Sequence, residues 1–137
     1  MKLFIYTLIG FMALSAAAVA EPIVIVNENV AIQELSRADA AKVFLGKKKT
    51  WDNGDPIVAG TLEAGTVHDA FIQQVVKKSN AQFATYWKKL VFTGRGQAPK
   101  SFASEADLAA FVARTPGAIG YIDAATPHPG AKDVPLR

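Results

Sequence analysis

The residues best suited to bind a ligand are Glu63-Ala64-Gly65-Thr66, between a predicted strand and a predicted helix. A loop of small residues at a helix N-terminus presents backbone amides that the helix itself leaves unpaired, at the positive end of the helix dipole. That arrangement favours a small anion, and the Thr66 hydroxyl would add a donor. The alternative is a plain helix cap, because Thr66 and Asp69 have the spacing of a capping box.

Two further residues are candidates for the same oxyanion site. Asn27 follows the β-branched run at 23–26, and the end of a strand is where ligand groups often lie in α/β folds. It is also a common turn residue, so it could simply start a turn. Arg95 lies between two glycines, where it could hold an anion or serve only as a surface charge.

A basic loop, Lys47-Lys48-Lys49, precedes Trp51. It could form a docking surface for another protein, with Trp51 as the anchor. The sequence favours a simpler interpretation, in which the lysines are solvated and the tryptophan folds back onto the core, because runs of charge usually face solvent.

Catalytic and metal-binding signatures are absent from the sequence. The chain contains no cysteine, and it has neither a Gly-x-Ser-x-Gly motif nor a P-loop. The two histidines, His68 and His128, lack metal-ligand spacing, and His68 is predicted to be exposed in the first turn of a helix. The sequence therefore predicts a protein that is not an enzyme and that carries no cofactor or metal.

The N-terminus has the form of a secretory signal peptide. Lys2 precedes an apolar run at residues 3–14, and small residues follow, ending in Ala18-Val19-Ala20. We predict cleavage after Ala20, a periplasmic mature protein, and membrane contact only through the uncleaved signal peptide; the alternative is an uncleaved anchor. The net charge of +3 is too small to indicate a nucleic-acid partner.

The hydrophobic pattern predicts an α/β fold with a mostly parallel central sheet flanked by helices. Strands are expected at 23–26, 57–62 and 118–122. Helices are expected to start at four capping residues: Ser36, Thr66, Ser79 and Ser104. The predicted domain covers residues 21–126, and the proline-rich tail at 127–137 is expected to be loose.

Several segments together resemble phosphate-type periplasmic substrate-binding proteins of ABC importers, and most of all their short single-lobe relatives. They are the strand ending at Asn27, FLGKKKTWDNG at 44–54, YWKKLVFTGRGQAPKS at 86–101 and PGAIGYI at 116–122. The resemblance implies one lobe of a type II periplasmic-binding-protein-like fold. It also implies a small oxyanion such as phosphate as ligand, and an ABC permease or other envelope protein as partner.

The resemblance extends to the candidate loop with two departures. Receptors of this family have an Arg upstream of the loop and Ser-Gly-Thr at the helix start. Gly65 and Thr66 match, but Ala64 stands at the Ser position and Gly60 at the Arg position. Two functions are therefore open: an exported solute-binding-like protein, or a periplasmic protein-interaction module on the same scaffold that has lost ligand binding.

Overall fold

The β-branched run predicted as the first strand lies within a five-stranded sheet of order β3-β2-β4-β1-β5. This computed structural model describes residues 20–137, so the predicted signal peptide lies almost wholly outside the described residues. The strands are β1 (Pro22–Asn27), β2 (Val58–Leu62), β3 (Lys100–Phe102), β4 (Ala118–Asp123) and β5 (Ala131–Val134). The α/β class predicted from the sequence is confirmed.

The strand directions define two edges of the sheet. Strand β2 pairs in parallel with β3 and β4, whereas β1 pairs antiparallel with β4 and β5. Four strands therefore run in one direction, as predicted, and β1 alone runs in reverse. We call the edge where those four strands end the carboxyl edge, and the opposite edge, where β1 ends at Asn27, the amino edge.

Four helices and one π-helical turn connect the strands. They are α1 (Arg37–Phe44), α2 (Thr66–Phe71), the π-helical turn Ile72–Val76, α3 (Asn80–Phe92) and α4 (Glu105–Arg114). The side chains of Ser36, Ser79 and Ser104 each accept a hydrogen bond from the amide three residues on, at 3.0–3.1 Å. Three of the four predicted capping residues are thus confirmed, because a cap is a local signal, and the fourth helix begins at Thr66 without that cap.

The two faces of the sheet are covered by different helices. On β4, Gly120 faces α4, and a Cβ added there would lie 2.9 Å from Leu108 Cδ1. The next residue, Tyr121, points to the opposite face, where its ring contacts Phe44 of α1 and Phe71 of α2. The core therefore has two layers, one on each face of the sheet.

The C-terminal tail corrects one prediction. Residues 127–137 were expected to be loose, but β5 lies within them and pairs with β1 from Val24 to Asn27. Val134 is buried, and Leu136 bridges to Leu35. The pairing is non-local, and the three prolines at 127, 129 and 135 fall outside β5, so they do not interrupt it.

Strand β3 was also missed by the sequence analysis. It has three residues, most of them exposed, and it is the outermost strand of the sheet, next to β2. So short a strand has no alternating pattern to detect. Its position matters because Phe102 accepts a hydrogen bond from the amide of Glu63, at 2.9 Å, just beyond the end of β2.

The basic loop is closed by Trp51, which is buried against the core as the sequence favoured. The indole Nε1–H donates to the carbonyl oxygen of Gly117 at 3.1 Å. Gly117 has φ +77°, and a Cβ added there would lie 2.4 Å from the backbone oxygen of Pro56. The join between this loop and β4 therefore requires glycine for both its backbone conformation and its space.

We expect Gly117→Ala to lower the free energy of unfolding by more than Gly54→Ala does. Gly54 also has positive φ, but a Cβ there would have no atom within 4 Å. The control should lose about 1–2 kcal/mol from backbone strain alone, and Gly117→Ala about 2 kcal/mol more from the clash. Urea unfolding of both variants measures the difference, and equal losses would contradict the close approach.

His128 near the C-terminus gives a second prediction. Its pKa is raised, mainly because the ring hydrogen-bonds the Thr126 carbonyl at 2.8 Å; partial burial opposes this, and Asp133 adds to it. The folded state therefore holds the proton more tightly, and this contribution to stability is complete below the unfolded pKa of about 6.5. It is lost as the pH rises through the raised folded pKa.

We therefore expect His128→Gln to lower the free energy of unfolding more at pH about 5.5 than at pH about 8.5, on either side of the transition. Urea unfolding of both proteins at the two pH values provides the measurement. A loss that does not change with pH would mean that the protonated histidine makes no special contribution.

Candidate functional site

The 63–66 loop lies at the carboxyl edge, directly after β2. All four of its residues are exposed. Gly65 is the N-cap of α2 with φ +110°, and its carbonyl accepts the amide of Asp69 at 3.0 Å. Since a Cβ at Gly65 would have no atom within 4 Å, the approach to the helix end is open to solvent.

The capping box predicted for Thr66 and Asp69 is not formed. Thr66 is the first residue of α2 rather than its cap, because Gly65 takes the N-cap position without any side-chain hydrogen bond. The Thr66 hydroxyl is therefore not used to cap the helix. The amides of Thr66, Val67 and His68 belong to the first turn, where no intrahelical acceptor exists. The loop can thus offer several donors to an anion.

A buried polar chain holds this loop from beneath. The Tyr121 hydroxyl accepts a hydrogen bond from the Leu62 amide at 3.1 Å, so its own proton is directed to His68 Nδ1 at 2.5 Å. The opposite ring nitrogen, Nε2–H, then donates to Asn80 Oδ1 at 2.9 Å. This series of hydrogen bonds connects the end of β2, the start of α2 and the start of α3.

His68 was predicted to be exposed, and this prediction is wrong. The residue is only 3% exposed, because it lies three residues before Phe71 on the apolar side of α2. That spacing was the available signal in the sequence. Burial raises the pKa of Tyr121 far above its ordinary value, against a smaller lowering by the Leu62 amide, so the hydroxyl stays protonated and can donate to His68.

Asn27 lies at the amino edge, away from the 63–66 loop. It is buried, and its Nδ2 donates to the carbonyl oxygens of Val112 and Ala113 at 2.9 and 3.0 Å. Its Oδ1 accepts the amide of Asn29 at 3.0 Å. Both amide protons are therefore used to fasten the end of β1 to the end of α4.

Arg95 is exposed and also lies toward the amino edge. Its side chain is on the rim of a groove of about 920 Å³ between α3 and the starts of β2 and β3. Three lysines line the same groove: Lys48, Lys49 and Lys100. The structure thus brings Gly65 and Thr66 together, but it does not bring Asn27 or Arg95 to them.

The position where the family resemblance expects an arginine is closed. Gly60 is buried beneath α4, and a Cβ there would lie 2.7 Å from Leu108 Cδ1 and 3.2 Å from Phe111. A long side chain at position 60 would therefore have to displace the buried side chains of Leu108 and Phe111. The charged residue within the 63–66 loop is Glu63, whose carboxylate opposes an anion.

Residues 20–137 contain neither a metal-binding cluster nor a membrane-spanning helix. Within this part of the chain, no cluster of three or more His, Asp or Glu side chains is arranged to hold a metal ion. No helix there has the length and apolar character needed to cross a membrane.

Known structures share this fold, although no family model and no curated protein matches the sequence. PstS from Borrelia burgdorferi aligns with TM-score 0.67 and 12% identity, over 86% of this chain and 47% of its own. An ABC-type phosphate transport receptor from Vibrio cholerae aligns with TM-score 0.65 and 14% identity, over 85% of this chain and 46% of its own. A third structure aligns with TM-score 0.63 and 20% identity, over 85% of this chain and 45% of its own. It is a Clostridium perfringens protein described as a phosphate ABC transporter substrate-binding protein, with bound phosphate.

These similarities establish the fold. The chain spans about half the length of the structures it matches. Over its described residues the chain therefore has the fold of about half of these phosphate-type substrate-binding proteins, as the segments at 44–54, 86–101 and 116–122 implied.

We expect Tyr121→Phe to lower the free energy of unfolding by about 1–3 kcal/mol, because it leaves the Leu62 amide and His68 Nδ1 buried without partners. Tyr86→Phe is the matched control, since its hydroxyl donates only to the partly buried Leu45 carbonyl. That loss should be about 0.5–1.5 kcal/mol. Urea unfolding compares them, and a smaller loss for Tyr121→Phe would contradict the structural role of the buried chain.

Proposed function

We propose that this chain is an exported, periplasmic solute-binding-like protein that binds a small oxyanion such as phosphate at the 63–66 loop. The observation that carries the proposal is the position of Gly65 and Thr66. They lie at the carboxyl edge of a phosphate-receptor fold, with the Thr66 hydroxyl free of any capping bond. Ligands of open α/β sheets bind at that edge.

The chemistry of the loop supports hydrogen bonding to an anion without an ion pair. The first-turn amides of α2 and the Thr66 hydroxyl are donors, and hydrogen bonds to a charged acceptor are worth about 1.5–3 kcal/mol each. Glu63 reduces this attraction, and Gly60 supplies no cation. We therefore expect dissociation constants near the millimolar range, about −4 kcal/mol, for the lobe alone.

Tighter binding would require a second surface. The matched structures are about twice as long, so this lobe corresponds to half of such a protein. A second copy of the chain, an ABC permease or another envelope protein would have to cover the open loop. Burial of the ligand between two surfaces would strengthen the same hydrogen bonds by excluding water.

The second candidate function is a periplasmic interaction module that no longer binds a ligand. The close packing of Gly60 under α4 favours it, because the position expected to carry the arginine of the family is a glycine packed against the core. The cationic groove at the amino edge also favours it.

Thr66→Val tests the oxyanion site. We expect about 10- to 100-fold weaker phosphate binding, the loss of one hydrogen bond to a charged group. Thr85→Val, on an exposed position of α3, is the matched control and should bind as the wild type does. Isothermal calorimetry of residues 21–137 against phosphate, and then sulfate, provides the measurement.

Two outcomes of this titration would count against the proposal. Equal binding by wild type and Thr66→Val would show that the anion binds elsewhere. No heat at concentrations well above the millimolar range would favour the interaction module instead.

A further inference from the structure

We propose that the groove at the amino edge binds an acidic peptide segment of a partner protein, one that alternates carboxylates with apolar side chains. This groove lies between the C-terminal half of α3 and the starts of β2 and β3. It is separate from the 63–66 loop, and the proposal does not depend on oxyanion binding there.

The charge of the groove determines the charge of its occupant. Lys48, Lys49, Arg95 and Lys100 line it, and no Asp or Glu is among the described residues of the lining. Lys48 has a carboxylate 3.5 Å away, but that carboxylate belongs to Asp52, which is 91% exposed, so a ligand could replace so weak a pair. The cations of the groove thus complement a run of carboxylates.

The excess of basic over acidic residues extends along the sequence around α3. Between Asp69 and Glu105 the sequence has no acidic residue, and it has six basic ones: Lys77, Lys78, Lys88, Lys89, Arg95 and Lys100. The two lysines of α3, at 88 and 89, are exposed and lie in sequence between the groove residues Trp87 and Leu90. The segment that forms α3 and the loop to β3 therefore carries only positive side-chain charge, which would speed the approach of an acidic partner.

The floor of the groove excludes a purely ionic ligand as its best occupant. Ile57, Val58 and Leu90 line it, each only half-buried, together with the edge of Trp87. Its volume of about 920 Å³ is in the range of pockets for drug-sized ligands and far exceeds a phosphate ion. A peptide segment in extended conformation alternates its side chains, so it can place carboxylates on the rim and apolar groups on the floor.

The walls of the groove are fixed before any partner binds. Trp87 Nε1–H donates to the Phe44 carbonyl at 3.0 Å, which fastens α3 to the end of α1. The Arg95 amide donates to the Leu90 carbonyl at 2.9 Å, which folds the loop back onto α3. The Lys100 ammonium lies 5.6 Å from the Phe111 ring, which holds it at the rim. Such preorganisation lowers the entropy cost of binding.

Two exposed apolar residues adjoin the rim. Val91 is 50% exposed and Phe92 is 91% exposed, at the end of α3 just before Arg95. An exposed phenylalanine among cations is suited to contact the same partner outside the groove, since aromatic and arginine side chains are enriched at binding hot spots.

The probe is a fluorescein-labelled synthetic peptide of about ten residues, which is about 33 Å long in extended conformation. Its sequence alternates Glu with Leu, and the matched control peptide has Gln in place of each Glu. Fluorescence anisotropy with the chain at 21–137 should show at least 10-fold tighter binding of the acidic peptide, weakened by salt. Equal binding of the two peptides would overturn the proposal.

Variants locate the binding surface. Arg95→Glu with Lys100→Glu should weaken binding of the acidic peptide by at least 10-fold. Arg37→Glu with Arg137→Glu makes the same change of net charge at exposed residues outside the groove and should change it by less than 2-fold. Equal losses in both pairs would mean that only net charge matters, which would overturn a defined groove. Circular dichroism of each variant verifies that it is folded.

Two further measurements separate this site from other binding. Thr66→Val should bind the acidic peptide as the wild type does, and excess inorganic phosphate should compete no better than sodium chloride of equal ionic strength. Binding to phosphatidylglycerol vesicles without binding to the peptide would overturn the proposal in favour of a lipid surface.

Discussion

The Tyr121 hydroxyl is the buried group on which the geometry of the carboxyl edge depends. The ring stacks on Phe71 with 4.0 Å between centroids, and this fixes the position of the hydroxyl in the core. From there it accepts the Leu62 amide at the last residue of β2 and donates to His68 in the first turn of α2. The 63–66 loop joins the end of β2 to the start of α2, and the Tyr121 hydroxyl is hydrogen-bonded to both. The core beneath the loop therefore sets its shape.

Packing on the opposite face limits the chemistry of the same edge. Gly60 and Gly120 lie on neighbouring strands beneath Leu108, and their lack of a Cβ lets α4 come close to the sheet. Close packing of this kind is favourable because buried atoms gain contacts. It leaves no room for an arginine at position 60, so the loop has hydrogen-bond donors but no adjacent cation on β2 to neutralise an anion. The core, more than the loop, determines how weakly this edge can hold an oxyanion.

Sequence analysis predicted the features that depend on neighbouring residues. The caps at Ser36, Ser79 and Ser104, the burial of Trp51 and the loop before α2 all follow from the local sequence. It failed where distant segments meet. The pairing of β5 with β1 and the contact of His68 with Tyr121 join residues more than fifty positions apart, which no local pattern records. Four candidate residues were predicted for one site, but the strand direction that separates Asn27 from Thr66 is not encoded locally.

The separation of the two edges makes two independent binding surfaces physically reasonable. Strand β2 begins beside the cationic groove at Val58, and Lys100 of the groove pairs with Gly60, three residues before Glu63, which is about 10 Å at about 3.3 Å per residue. This is slightly more than the Debye length of about 8 Å at physiological ionic strength, so ions in the solvent screen much of the attraction between the groove cations and an anion at the loop. The proposed oxyanion site at one edge and the proposed peptide groove at the other can thus coexist on one lobe, and a substitution in one need not abolish the other.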